Sequence, residues 1–238
     1  MKKKILLAVC SFLLLAFILF YVPIGGFFTS KFVETKIKNR LRGNVKIGSS
    51  SVVILKKITI KDLQFDPIKK RGVPFSADKI VIEYNGLLNL IDPYGKRSDV
   101  TITNFSIKQG ENNLLSGFNG LLSARDEKPA PLFKKIHISN FKVDKDTMKN
   151  VMSAQGEDFT LEGYGTENKN GNLIDYRVDI TLYAKAKKRF AQFFPVMRAD
   201  EDKPLKINLV VQGQPTNPYV VITSEQFKLN FRIVKPDG

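Results

Sequence analysis

Three segments of this chain repeat a pattern that a regular β-strand cannot satisfy: ITIKDLQF at 58–65, VTITNFSI at 100–107 and IHISNFKV at 136–143. In each, two apolar residues share one parity, Asp62, Asn104 or Asn140 intervenes, and two more apolar residues take the other parity. Side chains of a flat strand alternate strictly between faces, so half of every octet would point at water. A bulge at the Asp or Asn restores them, because these residues tolerate left-handed backbone and bond to their own neighbours. The expected lining of one concave face is then Ile58, Ile60, Leu63 and Phe65, with Val100, Ile102, Phe105 and Ile107, and with Ile136, Ile138, Phe141 and Val143. Repeated bulges bend and twist strands. The fold expected is therefore mainly β: a twisted, curled antiparallel sheet forming a groove, with a few short helices.

The period of two extends beyond the octets. Strands are expected over 45–55, 57–66, 77–84, 98–109, 133–143, 157–166, 173–184, 204–213 and 218–233, the last broken near Glu225. Turn signals separate them, and NKNGN at 168–172 between two alternating runs is the strongest hairpin signal. Short helices are expected at 86–91, 112–123 and 185–198, and ARDEKPAP at 124–131 reads as a loop. The 185–198 segment opposes Phe190, Phe193, Phe194 and Met197 to a basic cluster that includes Lys185, Lys187, Lys188 and Arg189. Such a face fits a membrane surface or packing on the sheet.

Before the strands, residues 5–22 form an apolar run interrupted only by Ser11, and the run continues to Phe28. At about 1.5 Å per residue this length spans a hydrocarbon core of about 30 Å. Lys2, Lys3 and Lys4 precede it and nothing after it reads A-x-A, so residues 1–28 are expected to be an uncleaved signal anchor with its N-terminus in the cytoplasm. Residues 29–43 then read as an amphipathic linker helix, Val33, Ile37 and Leu41 on one stripe and Lys36, Lys38, Arg40 and Arg42 around it. That helix fits a membrane surface and equally fits packing on the first strands. Residues 44–238 form the β domain.

Composition narrows the function. The only cysteine, Cys10, lies in the apolar run, so no disulfide supports the domain and its core must suffice. A formal charge of +15 would ordinarily suggest nucleic acid, but behind an export anchor the expected partners are anionic lipid headgroups or an acidic partner protein. No catalytic residue, metal site or cofactor is expected. His137 is the one histidine and reads as a solvent-facing strand residue; Asp144 with Asp146, and Asp200 with Asp202, read as solvated turns rather than acid/base pairs.

In the order of these elements the chain resembles the N-terminal region of the AsmA family of bacterial envelope proteins. The resemblance rests on the lysine-led anchor, the NVKIGS step after a helix, the pair VVILKKITIKDLQF, the segment FSADKIVIEYNGLLNLI and the strand ITNFSIKQ. It implies an inner-membrane anchor with a periplasmic β-groove that binds lipid and assists phospholipid transport or maintenance of the outer envelope. The competing expectation is an assembly module that pairs with another envelope protein and carries no lipid.

Overall fold

The computed structural model describes residues 23–41, 43–54, 56–67, 74–84, 94–107, 132–168, 173–193, 203–214 and 217–232. The apolar run 1–22, the segments 86–91 and 112–123 and the loop 124–131 lie outside them. Among the described residues no helix is long and apolar enough to cross a membrane. Nearly everything else is one antiparallel sheet of thirteen strands. In chain order these are β1 (Ile24–Gly25), helix α1 (Phe27–Leu41), β2 (Gly43–Lys46), β3 (Ser49–Val53), β4 (Lys57–Pro67), β5 (Phe75–Tyr84), β6 (Gly95–Ile107), β7 (Phe133–Lys142) and β8 (Thr147–Gln155). There follow β9 (Phe159–Asn168), β10 (Leu173–Leu182), helix α2 (Ala184–Phe193), β11 (Leu205–Gln214), β12 (Asn217–Ser224) and β13 (Lys228–Arg232). The strands meander, each beside the next, except that β2 and β3 share one edge of β4 and β1 caps β3.

The parity switch is real, but its form differs from a bulge. Asp62 and Asn104 adopt φ of 54° and 51°, the left-handed region these side chains tolerate. Yet Lys61 still faces Lys79 and Leu63 still faces Ala77, so no residue is inserted and Asp62 stands opposite Asp78. Asp78 in turn stands opposite Asn104, whose Nδ2 donates to Asp78 Oδ2 at 2.7 Å. The line begins at Gly48, which separates β2 from β3 and lies so close to Asp62 that an added Cβ would meet the Asp62 Cβ at 2.9 Å. The strand expected over 45–55 is thus two strands broken at this line. Four neighbouring strands switch parity together, which creases the sheet and keeps both apolar pairs of the first two octets on one face.

The third octet departs from expectation. Asn140 is a regular strand residue between Ser98 and Asn150, and the one register shift nearby lies in β6, between Lys96 and Ser98. Without a switch, Phe141 falls on the opposite face from Ile138, and Val143 lies past the end of β7, 53% exposed. On β7 the change of parity comes earlier, at the adjacent exposed pair Lys134 and Lys135.

Other boundaries shifted for local reasons. The anchor and linker limits drawn at 28 and 29 fall inside the first turn of α1, and Ile24–Gly25 before it is strand. Gly43, the expected last residue of the linker helix, opens β2 instead; a Cβ there would enter the Phe65 ring. Strand β8 was not foreseen, because Met148, Val151, Met152 and Ala154 follow no single period. The turn leading into it is held by Asp144 Oδ1, which accepts the backbone N–H of Asp146 and of Thr147, both at 2.8 Å. Those bonds hold the Asp144 carboxyl below its ordinary range. The hairpin expected at NKNGN forms, with Asn168 facing Leu173 across residues 169–172.

Both helices pack on the apolar face. Val33 of α1 is buried with Val45, Ile60, Leu63 and Phe65, Ile37 packs beside them, and the Ser50 N–H donates to Ser30 Oγ at 3.0 Å. On α2, Ala186 is fully buried against Leu182, Phe159 and Leu205. Lys187, expected in an exposed basic cluster, is buried, and its Nζ donates to the Lys203 carbonyl at 2.9 Å. The first turn of α2 has no acidic residue; Asp158, from the β8–β9 turn, accepts the Ala186 N–H on Oδ2 at 2.7 Å. Asp158→Ala is expected to lower stability by about 1 kcal/mol, the cost of an N-cap carboxylate. Thermal unfolding checks this, and an unchanged midpoint would show that the cap contributes nothing.

Candidate functional site

Cross-strand partners share a face, so the register alone defines what lines each side of the sheet. Ile58, Ile82, Val100 and Ile138 are successive partners on β4 to β7. The same line runs on through Met152, Gly163, Val178, Leu209 and Ile222 to Leu229 on β13. In the other direction it passes through Val52 to Ile24. No polar side chain interrupts this row from one edge of the sheet to the other, a distance of about 50 Å at ~4.8 Å per strand. A second row lies beside it: Ile60, Ile80, Ile102 and Ile136, then Ala154, Leu161, Ile180 and Ile207. The opposite face reads Ser51, Thr59, Val81, Thr101 and His137, then Ser153, Glu162, Asp179, Asn208 and Thr223. Along these rows one face is apolar and the other mostly polar.

The apolar face is closed on one side and less covered on the other. Beyond the crease, Phe65, Phe75, Phe105, Phe133 and Phe159 stack in sequence, with ring centroids 5.0, 5.6, 6.4 and 5.4 Å apart. The two helices cover this side, and most fully buried residues are here, Leu63, Phe65, Ile107, Leu182 and Leu205 among them. The long row from Ile58 to Ile222 is half-buried at most positions instead, and its ends, Ile24 and Leu229, are 43% and 40% exposed. Beyond that row comes a further one that turns polar in the middle of the sheet: Ser98, Asn140, Asn150, Gly165 and Tyr176. There the Asn140 Nδ2 donates to Ser98 Oγ at 2.9 Å, and the Asn150 Nδ2 to Tyr176 Oη at 2.8 Å. Burial pushes the Tyr176 phenol up, partly offset by Asn150 and reinforced by Glu167.

Of the expected lining residues, Ile58, Ile60, Leu63, Phe65, Val100, Ile102, Phe105, Ile107, Ile136 and Ile138 share this face; Phe141 and Val143 do not. Lys36 and Lys38 are exposed on α1, while the side chain of Arg40, and Arg42 altogether, lie outside the described residues. The same holds for the side chains of Phe190 and Phe193, and for Phe194. Sequence reasoning missed the contributions of Ile82, Met152, Val178, Leu209 and Ile222, although period two was visible in β5, β10, β11 and β12. The missing signal was register, which no single strand carries.

A second cluster lies on the polar face. The buried Ser139 donates its hydroxyl to Asp99 Oδ1 at 2.5 Å, and Lys96 Nζ stands 2.7 Å from the other carboxylate oxygen. His137 Nε2 lies 3.2 Å from Ser139 Oγ and 3.7 Å from Asp99 Oδ1, and its Nδ1 is 3.3 Å from Thr101 Oγ1. Partial burial works to raise the Asp99 carboxyl, but Lys96 and Ser139, helped by His137, hold it below the ordinary range. The arrangement ties β6 to β7. His137 faces out on the polar side, as the strand alternation predicts, at the edge of a shallow hollow lined also by Lys149, Glu162 and Asp179. Among the described residues no group of acidic, histidine or cysteine side chains could hold a metal.

Comparisons with known protein families, with characterised proteins and with solved structures found no match.

Proposed function

We propose that the chain is a membrane-anchored, AsmA-like protein that binds lipid acyl chains along the apolar face of its sheet and assists phospholipid transport or maintenance of the outer envelope. The observation that carries this reading is the row from Ile24 to Leu229, apolar without a break yet only half-buried over most of its length. A face meant only as a core would be covered along that row, as it is around Phe65 and Leu182. An acyl chain laid there gains about 25 cal/mol for each Å² of apolar surface removed from water. Uniform chemistry from strand to strand lets the chain slide without a deep trap. The apolar run 5–22 supports the same reading, because it leads directly into β1, whose Ile24 is the first member of the row. Lipid leaving the bilayer beside such an N-terminal anchor would meet the apolar face at once. The reading places the anchor in a bacterial inner membrane and the sheet in the periplasm, assigns no catalytic step and needs no cofactor.

At about 50 Å the row spans roughly one bilayer including headgroups, so the protein acts as a carrier, an entry module or one part of a longer path. A second reading, an assembly module that pairs with another envelope protein, draws on β13. All five of its residues are exposed and it ends the sheet. Lysine and arginine at both ends of the strand are also how an edge is kept from aggregating, which weakens this reading.

Mass spectrometry of the detergent-extracted full chain tests the proposal. Phospholipid is expected to co-purify at near-stoichiometric amounts. A lipid-free protein that also fails to take up phospholipid from vesicles would sink it.

A further inference from the structure

Strand β7 carries on one face, at successive two-residue steps of about 6.8 Å, Ile136, Ile138, Asn140 and Lys142. Apolar, apolar, neutral amide, cation: the order matches an amphipathic molecule read from its tail upward. Neighbouring strands repeat the order as far as the amide level. Met152 is followed by Asn150 on β8, Val100 by Ser98 on β6, and Val178 by Tyr176 on β10. Gly165, between Asn150 and Tyr176 in this row, has no side chain, and a Cβ there would enter the Tyr176 ring, so the ring lies across the glycine. This lets the Tyr176 hydroxyl reach Asn150 at 2.8 Å across the intervening strand.

We propose that Asn140, Asn150 and Tyr176, with Lys142 beyond them, form a site for the ester and phosphate groups of a glycerophospholipid whose acyl chains lie on the Ile138 row. The inference rests on the lipid-binding reading above and adds to it the place where the polar part is recognised. The middle level suits esters and glycerol hydroxyls because its groups are neutral donors and acceptors and none is charged. The Tyr176 hydroxyl accepts from Asn150 Nδ2 and keeps its own proton to donate. Lys142 is placed for the phosphate. It is half-buried, and its Nζ lies 5.7 Å from the centroid of the Tyr94 ring, which orients the cation over an apolar surface. Two carboxylates stand near this level. Asp144 accepts the backbone N–H groups of Asp146 and Thr147 and lies close enough to Lys142 for the cation to help lower its carboxyl, and Glu167 is on β9, opposite Met148.

The test uses the full-length detergent-extracted chain, incubated with vesicles of phosphatidylethanolamine and phosphatidylglycerol and repurified, with bound lipid counted by mass spectrometry. Binding of the uncharged dye N-phenyl-1-naphthylamine reports the apolar face separately. Asn140→Leu and Lys142→Gln are each expected to reduce bound phospholipid about tenfold, the loss of one hydrogen bond to a charged or polar ligand group, and to leave dye binding and the thermal transition unchanged. If Asn140→Leu disturbs folding, Lys142→Gln still decides, since Lys142 is at the end of its strand. Variants that carry as much phospholipid as the parent overturn this site and leave the acyl-chain reading intact. A parent chain that binds neither phospholipid nor dye overturns both.

Discussion

Replacing Ile82, Val100 and Ile138 together by Asn is expected to strip the protein of co-purifying lipid while preserving one cooperative thermal transition. All three are half-buried members of the long row, on adjacent strands. Three amides in the middle of the row would interrupt the apolar track for about 10 Å. An acyl chain crossing them would leave them without hydrogen-bond partners, at about 1–3 kcal/mol each. Ile60→Asn is the contrasting variant. Ile60 is 4% exposed within the cluster of Val33, Val45, Leu63 and Phe65, so burying an amide there should cost about 3–5 kcal/mol and unfold a marginally stable domain. If the triple variant unfolds as Ile60→Asn does, the row is ordinary core and no lipid track exists. If it folds and keeps its lipid, the cargo lies elsewhere.

How much of this was legible beforehand follows from which physical signal each feature leaves in one chain. The β class, the hairpin at 168–173 and both described helices are local, written in alternation, in Asn-Gly and in helical spacing. The anomaly at Asp62 and Asn104 was local too, because a change of parity can be read from eight residues. What could not be read was its mechanism. A bulge and a crease both restore the apolar pairs, and only the neighbours decide between them: Asp78 standing opposite both residues, and Gly48 leaving room on the other side. Asn140 shows the limit of the same argument. Its octet matches the others in apolar pattern, yet the strand opposite absorbs the irregularity between Lys96 and Ser98, and Asn140 stays regular. Its position in the polar row, beside Asn150, depends on β8, a strand whose sequence has no clear period. Candidate lining residues within octets were therefore found, while the row that joins them across the sheet was not.

The crease itself provides the sharpest test of the fold. Asp62→Val with Asn104→Val is expected to lower stability by about 2–4 kcal/mol, since left-handed backbone costs roughly 1–2 kcal/mol per L-residue and most for β-branched side chains. Asp62→Gly with Asn104→Gly should cost about 1 kcal/mol, because glycine takes φ near +50° without a clash and, among the described residues, only the 2.7 Å bond from Asn104 to Asp78 is lost. The two pairs remove the same polar groups and differ only in what the backbone tolerates, so their difference measures the left-handed geometry. Without it Leu63 and Phe65, and likewise Phe105 and Ile107, would turn to the polar face and leave the aromatic stack that closes one side of the apolar surface. Chemical denaturation of the two double variants decides the matter. Equal stabilities for the valine and glycine pairs would mean that the strands can switch parity without these two residues, and that the repeated octet is not what bends the sheet.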